Sequence, residues 1–397
     1  MRVATSPFAR LGRRFGERLV LPGDVRYDSA RAVWNGMVDK RPSAVARCGS
    51  AADVAAAIRG ARDAGLPLSV RGGGHQIAGA SVVEGGLVLD LSPRRQGFSK
   101  QEERDMSYAL ATIQTTDGPQ PAVALDDGRL LVHDRLTGSS VRALLDDWAA
   151  AEEVLDEIAG APGTGRFLDP DATTLLTPVR YPDALLAVGA NYSGHLREMG
   201  LDPTRWPTMP FFHRPPRTSL VGPGDTVSIP RSTTEFDWEC ELAVVIGRPL
   251  RHADRQEARA GIAGYTIGLD MSCRDLVQPS SGLPVDLTRG KAQDTMAPCG
   301  PVLVPAKFMP DVTDLRITLS VNDEPMMDAS TSEMLYAVDE QLSSISEYMT
   351  LSPGDIVFTG SPAGSAAHHG GRWLKPGDRI DAHIGDIPTL TVSMRHD

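Results

Sequence analysis

A chain of 397 residues exceeds one ordinary core and leads to an expectation of two or three domains, while 41% hydrophobic and 23% charged residues describe a globular protein that can bury a sizeable interior. A formal net charge of −11 without any basic stripe argues against nucleic acid as a partner, and no apolar run approaches the ~18 residues of a membrane span. Cys48, Cys240, Cys273 and Cys299 form no CxxC pair, so neither a disulfide framework nor a thiolate zinc site is expected, and a reducing compartment, the cytoplasm, is the simpler assignment.

Residues 9–18 contain the twin Arg13-Arg14 without a following apolar region and read as an exposed helix or loop rather than an export signal. Residues 40–95 carry an α/β pattern. Ala44-Val45-Ala46-Arg47-Cys48 reads as a strand, and Ser50 caps a helix with Asp53 three residues on and Val54, Ile58 and Ala61 along one face. Gly65 and Pro67 stop that helix, and Leu68-Ser69-Val70 and residues 86–91 read as further strands. Between those strands, Arg71-Gly72-Gly73-Gly74-His75 lacks three successive Cβ atoms, which suits either close approach of backbone to a phosphate or a plain tight turn. With Tyr27-Asp28 and Val33-Trp34-Asn35, residues 24–95 resemble the start of the flavin-binding domain of the FAD-linked oxidases. The resemblance implies that His75 stands at the flavin-attachment position. That family's second glycine-rich segment and substrate domain are not visible after Arg95. FAD, normally enclosed by both subdomains, is therefore not expected as a cofactor, and residues 1–95 are expected as a truncated, structural appendage.

Residues 96–105 are polar and charged and read as a linker or as the solvated first turn of the next element. Tyr108–Ile113, Pro121–Leu125 and Leu130–Val132, with Asp127-Gly128 as a turn, predict a small antiparallel meander, and a helical stretch comes next over about 141–158. This part, residues 106–177, precedes a region of strands and turns, residues 178–397. Pro-Gly-Asp occurs at 223–225, 353–355 and 376–378, where proline presets the first turn dihedral and glycine takes the positive φ of a type II turn; Val321-Asn322-Asp323-Glu324 predicts a hairpin.

The most informative stretch is Trp238-Glu239-Cys240-Glu241-Leu242-Ala243-Val244-Val245-Ile246-Gly247. In a strand Glu239 and Glu241 point to the same side, about 6 to 7 Å apart, and two buried anions at that spacing demand a cation unless the strand is a solvated edge. Asp270, at the end of the apolar Gly264–Leu269 run, supplies a third carboxylate. Three carboxylates without a well-placed cysteine or histidine make an all-oxygen site suited to Mg²⁺ or Mn²⁺. In Asn191-Tyr192-Ser193-Gly194-His195-Leu196-Arg197-Glu198, His195 and Glu198 share a face if the segment is helical, the arrangement that raises and orients an imidazole base.

These residues, together with Phe212-His213-Arg214-Pro215-Pro216, Ser272-Cys273-Arg274-Asp275, Gly290-Lys291, Gly300-Pro301 and the stretch from Leu351 through Thr359-Gly360-Ser361 to Gly364, make the chain from about Pro182 onward resemble the fumarylacetoacetate hydrolase family. The resemblance implies an α+β fold with a mixed β-roll catalytic domain, and Glu239, Glu241 and Asp270 as ligands of a divalent cation. It further implies His195 with Glu198 as the water-activating pair, Lys291 as the group that binds or polarises the oxo acid, Arg274, Arg214 and Thr359 as substrate contacts, and a homodimer. The implied activity is hydrolytic carbon–carbon cleavage of an acylpyruvate-like or other 1,3-dioxo acid, with isomerisation, hydration or decarboxylation of a related 2-oxo acid as the alternative. An FAD-linked oxidoreductase using His75 and a catalytically silent scaffold are the readings from other classes. Two departures stand out. Arg214 replaces the usual lysine, and Gln278 is one residue displaced from the common spacing. Arg274-Asp275 alternatively reads as a structural ion pair, His368-His369 as a loop tip, and His213 as a packing residue.

Overall fold

The computed structural model describes residues 11, 15, 18–24, 26–31, 39–48, 51–71, 81–90, 108–125, 128–278 and 284–397. The chain divides into two compact units, residues 1–105 and 106–397. In the first, β1 (Leu19–Val20), β2 (Ala44–Arg47), β3 (Leu68–Arg71) and β4 (Leu87–Asp90) form a sheet in the order β1-β2-β4-β3, parallel except for β1. The helix Ala51–Asp63 comes after β2 as expected, but Ile58 is exposed and the buried residues are Ala57 and Ala61. Leu11 and Phe15 explain that turn of the helix. Both are buried against Ala57, Ala61 and Leu87, and Leu11 lies where a Cβ on Gly60 would come within 2.8 Å. The expectation of an exposed segment over residues 9–18 is thereby corrected at these two positions, because an apolar pair four apart has a helix groove to fill. Arg71 forms a buried pair with Asp90 at 2.5 Å. The expected Ser50 cap, the glycine run with His75, and the linker lie outside the described residues.

The second unit contains β5 (Tyr108–Thr115), β6 (Gly118–Leu125), β7 (Leu130–Val132), β8 (Arg166–Leu168), β9 (Leu175–Leu176), β10 (Leu185–Val188), β11 (Phe211–Arg214), β12 (Leu220–Val221), β13 (Thr226–Ile229), β14 (Phe236–Asp237), β15 (Cys240–Ile246), β16 (Ile262–Leu269), β17 (Ser272–Cys273), β18 (Ala297–Pro305), β19 (Arg316–Val321), β20 (Glu324–Ser330), β21 (Ile356–Phe358), β22 (Arg379–Ile384) and β23 (Ile387–His396). A large mixed sheet runs β11-β10-β21-β15-β16-β18-β5-β6-β7-β8, and a second sheet runs β13-β23-β22-β19-β20. The fold is α+β. The predicted meander β5-β6-β7 joins the large sheet through the pairing of β5 with β18, so it shares a sheet with the carboxylate-bearing strands. The helical stretch after it is interrupted by a 3₁₀ turn at Leu145–Asp147, where the Asp147 side chain accepts from the Ala150 amide and starts a fresh helix, Trp148–Gly160.

β15 sits between β21 and β16, and all seven of its residues are buried. A strand with neighbours on both sides and both faces covered cannot be a solvated edge, so that reading of Glu239 and Glu241 falls. Each Pro-Gly-Asp is a turn with its glycine at positive φ: 75° at Gly224, 85° at Gly354 and 92° at Gly377. The aspartate closes each turn twice, once by its amide and once by its carboxylate, which accepts the amides of Gly222, Ser352 and Lys375 at 2.7, 2.7 and 2.8 Å. Asp355 does more, because its other oxygen accepts the Ala184 amide at 2.7 Å and so ties the start of β10 to β21. Replacing Asp355 by Ala strands two buried amides and is expected to lower unfolding free energy by about 2–4 kcal/mol, against less than about 1 kcal/mol for Asp225→Ala at its exposed turn, measured by urea denaturation.

Candidate active site

The site is assembled where β15 and β16 lie antiparallel. Glu241 pairs in register with Gly268, and the Asp270 amide donates to the Glu239 carbonyl at 3.0 Å, so the pairing continues past both strand ends. Glu239 and Glu241 therefore emerge on one side of β15 and Asp270 enters from the next chain segment. One carboxylate oxygen from each lies within 4.8 Å of the others, and all three residues are buried. Cys240 between the glutamates turns into the apolar core, where burial pushes its thiol well above the ordinary range; it is no thiolate ligand.

Three cations meet these carboxylates. Lys291 Nζ donates to Glu239 Oε2 at 2.7 Å and to Asp270 Oδ2 at 2.6 Å. Arg274 forks between Asp237, at 2.7 Å, and Glu239 Oε1, at 2.6 Å. Arg214, fully buried, faces Asp270 Oδ1 and donates to the Met296 carbonyl at 2.6 Å. The alternative reading of Arg274 with Asp275 as a structural ion pair is corrected, since Asp275 instead accepts from Thr233 and Thr234.

The charges do not balance. Burial would raise Glu239, but Lys291 and Arg274 beside it hold its carboxyl well below the usual range. Glu241 has no cation to itself, and burial followed by repulsion from Glu239 pushes it up to about 8. Among the described residues of the site, five carboxylates (Asp237, Glu198, Glu239, Glu241, Asp270) meet two arginines and one lysine, so with every carboxylate ionised and His195 neutral the cluster carries an excess of two negative charges, which the upward shift of Glu241 relieves in part. A trio of converging carboxylate oxygens with that excess fits one hard dication, Mg²⁺ or Mn²⁺.

His195 and Glu198 lie one turn apart on the short helix Ser193–Glu198, with His195 Nδ1 3.1 Å from Glu198 Oε2. The other ring nitrogen, Nε2, faces Glu239 Oε1 at 3.5 Å. Burial alone would lower this imidazole; the hydrogen bonds from Glu198 and Glu239 outweigh it and raise its basicity.

One loop after β21 grips three different carboxylates by its backbone. The amides of Gly360, Gly364 and Ala366 donate to Glu241, Glu198 and Asp237 at 2.5, 2.7 and 2.7 Å. Thr359 opens the loop with its hydroxyl on the Leu242 carbonyl at 2.8 Å, so this side chain is engaged by β15. His368 on the same loop is exposed, in keeping with the expected loop tip, and its Nδ1 lies 3.4 Å from Glu198 Oε1. His213 is exposed rather than packed, and Gln278 is exposed at the edge of the described residues. Asp237 escaped the sequence reading although a signal was present: in Asp237-Trp238-Glu239-Cys240-Glu241 it continues the period-two series of carboxylates.

Residues 184–395 match the fumarylacetoacetate (FAA) hydrolase C-terminal family. The chain belongs to that family. Oxaloacetate tautomerase FAHD2A, mitochondrial, of Bos taurus is 36% identical over 218 residues, covering 55% of this chain and 68% of that protein. Among solved structures, maleylpyruvate hydrolase from Sphingobium sp. SYK-6 in complex with manganese(II) ion and pyruvate has a TM-score of 0.60 at 27% identity, covering 72% of this chain and 99% of that one. The 2-hydroxyhepta-2,4-diene-1,7-dioate isomerase of Mycobacterium marinum has a TM-score of 0.56 at 28% identity, covering 73% and 99%. This fumarylacetoacetate hydrolase-family chain is an enzyme, as these relatives are. Residues 42–115 match the FAD binding domain family, and the last eight of them, Tyr108–Thr115, are β5 of the second unit.

Gly364 has φ +117°, and a Cβ there would stand 2.7 Å from the Met326 carbonyl oxygen. Gly364→Ala is expected to cost about 1–3 kcal/mol in urea denaturation and to lower turnover beyond any stability loss, because the amide that holds Glu198 is displaced.

Proposed function

We propose that this enzyme hydrolyses a carbon–carbon bond in an acylpyruvate-like 1,3-dioxo acid, with a divalent cation, Mg²⁺ or Mn²⁺, held by Glu239, Glu241 and Asp270. The observation that carries this reading is the juxtaposition of the buried carboxylate trio with a His195–Glu198 pair whose second ring nitrogen, Nε2, faces Glu239 of the trio. The dication, when bound, supplies a Lewis acid that stabilises negative charge developing on the oxo acid by several kcal/mol. His195 Nε2 takes a proton from water while Glu198 fixes the ring through Nδ1. The water oxygen attacks the acyl carbonyl, the carbon–carbon bond breaks, and its electron pair leaves as the pyruvate enolate, which is protonated on carbon. Lys291 and Arg274 border this space and present ammonium and guanidinium groups to the carboxylate end of the substrate. Arg214, behind Asp270, orients that ligand from within the core.

A second reading, tautomerisation of a 2-oxo acid, is favoured by one observation: the bovine and human relatives at 35–36% identity are named as oxaloacetate tautomerases. A homodimer belongs to the proposal on the resemblance alone and a cytoplasmic setting on the scattered cysteines; the bovine and human relatives carry the word mitochondrial in their names, and no helix among the described residues is long and apolar enough to cross a membrane. FAD has no part in the proposed reaction, and absence of flavin colour in purified protein is the expected outcome.

A panel of acylpyruvates and oxaloacetate, assayed with Mn²⁺, Mg²⁺ or EDTA, separates the two readings. Loss of enol absorbance with release of pyruvate is expected, and EDTA should abolish it. Glu239→Gln should lose Mn²⁺ binding, followed by electron paramagnetic resonance, together with turnover. His195→Ala should keep the ion and lose about 10²- to 10⁴-fold in kcat; full activity in both variants would refute the mechanism.

The pH profile gives a further check. The base works only when neutral, so rate falls as pH drops through the His195 pKa. Glu198 helps raise that value. Glu198→Gln should therefore move the acid limb of kcat/KM to lower pH while reducing the plateau.

A further inference from the structure

We propose that His368 is the solvent end of a proton relay, His195–Glu198–His368, that discharges the proton released in each turnover. This rests on the hydrolytic reading. At neutral pH a dioxo acid monoanion and one water become two carboxylate anions and one proton: one water proton ends on the enolate carbon and the other must reach bulk solvent. Tautomerisation exports none.

The route out is narrow. His195 and Glu198 have side chains only 8% and 7% exposed, whereas the His368 side chain is 61% exposed. Glu198 lies between the two rings, with Oε2 3.1 Å from His195 Nδ1 and Oε1 3.4 Å from His368 Nδ1. The loop fixes that carboxylate with the Gly364 amide at 2.7 Å and the Ser365 hydroxyl at 3.4 Å. The neighbouring His369 is turned away, with its Nε2 2.7 Å from the Met326 carbonyl oxygen and its ring centroid 6.0 Å from that of His368.

The transfers balance without any co-reactant. His195 Nε2 accepts the water proton and Nδ1 passes its own to Glu198 Oε2. A half-turn of the protonated carboxyl about its broad terminal torsion carries the hydroxyl to the His368 side, and the two oxygens become equivalent acceptors again once the proton has been passed on. His368 Nδ1 takes that proton and Nε2 releases another to water or buffer; after the products leave, each ring regains its starting tautomer by exchanging a proton with water, with no net proton change. His368 acts through Glu198 and His195, so it is a positioning and relay residue rather than one that touches substrate.

The test uses the full chain loaded with Mn²⁺ and the best dioxo acid of the panel, in dilute buffer. His368→Gln is expected to lower kcat about tenfold with KM unchanged. Added imidazole should restore it in a saturable way and leave the native enzyme unaffected. His368→Arg, which keeps a positive charge but shuttles no proton, should be as slow as His368→Gln. Native-like kcat in His368→Gln, no rescue by imidazole, or full activity in His368→Arg overturns the relay while hydrolysis stands. A native enzyme that hydrolyses none of the panel, or only tautomerises it, overturns the hydrolytic reading and with it the proton export the relay serves.

Discussion

Two glutamates two residues apart, Glu241 on a fully buried strand and Glu239 just before its first residue, are the constraint around which the second unit is organised. Glu239 and Glu241 cannot escape to solvent because β15 is flanked by β21 and β16 and covered on both faces. Like charges at that spacing in a poorly polarisable interior repel strongly, so the surrounding chain has to supply positive charge and hydrogen-bond donors from several directions. It does so unequally. Lys291 and Arg274 both attend Glu239, while Glu241 has, among the described residues, the Gly360 amide at hydrogen-bond distance. The site is thus left with a deficit of positive charge in a cluster of oxygens, which is the physical condition for binding a hard dication.

The same economy of donors explains the loop after β21. By spending three backbone amides on Glu241, Glu198 and Asp237, it fixes ligand, base-orienting group and arginine-orienting group relative to one another. Backbone amides are rigid and carry no charge to be lost by protonation, so they position carboxylates without competing for a cation. Asp237 extends the scheme outward: it is fully buried, holds Arg274 through one oxygen and accepts from Trp238 and Ala366 through the other. A displacement of this loop would be felt at the base and at the ligand set together.

The first unit presents a different case. Its parallel strands β2, β3 and β4 and the helix Ala51–Asp63 lie within the residues that match the FAD binding domain family, whereas β1 lies outside them. Its buried charge is resolved internally by Arg71 and Asp90. Nothing in the proposed chemistry of residues 106–397 calls on it. The match also runs on to residue 115, across the boundary between the units, so sequence similarity and compact folding divide this chain at different places.

Much of this was legible in the chain itself, for a local reason. Strand alternation put Glu239 and Glu241 on one face, helix periodicity put His195 and Glu198 together, and proline and glycine marked the turns; each depends on neighbours a few residues apart. What the sequence could not settle concerned partners distant along the chain. Whether β15 is an edge or a centre, whether Arg274 pairs with its neighbour Asp275 or with Asp237 and Glu239, and which residue the loop tip at His368 lies against are decided by which segments the sheet brings side by side. Ile58 and Leu11 show the same limit in the first unit, since the buried face of a helix is chosen by what packs on it. Local covalent geometry determined the kinds of residues that could act together; long-range packing decided which of them do.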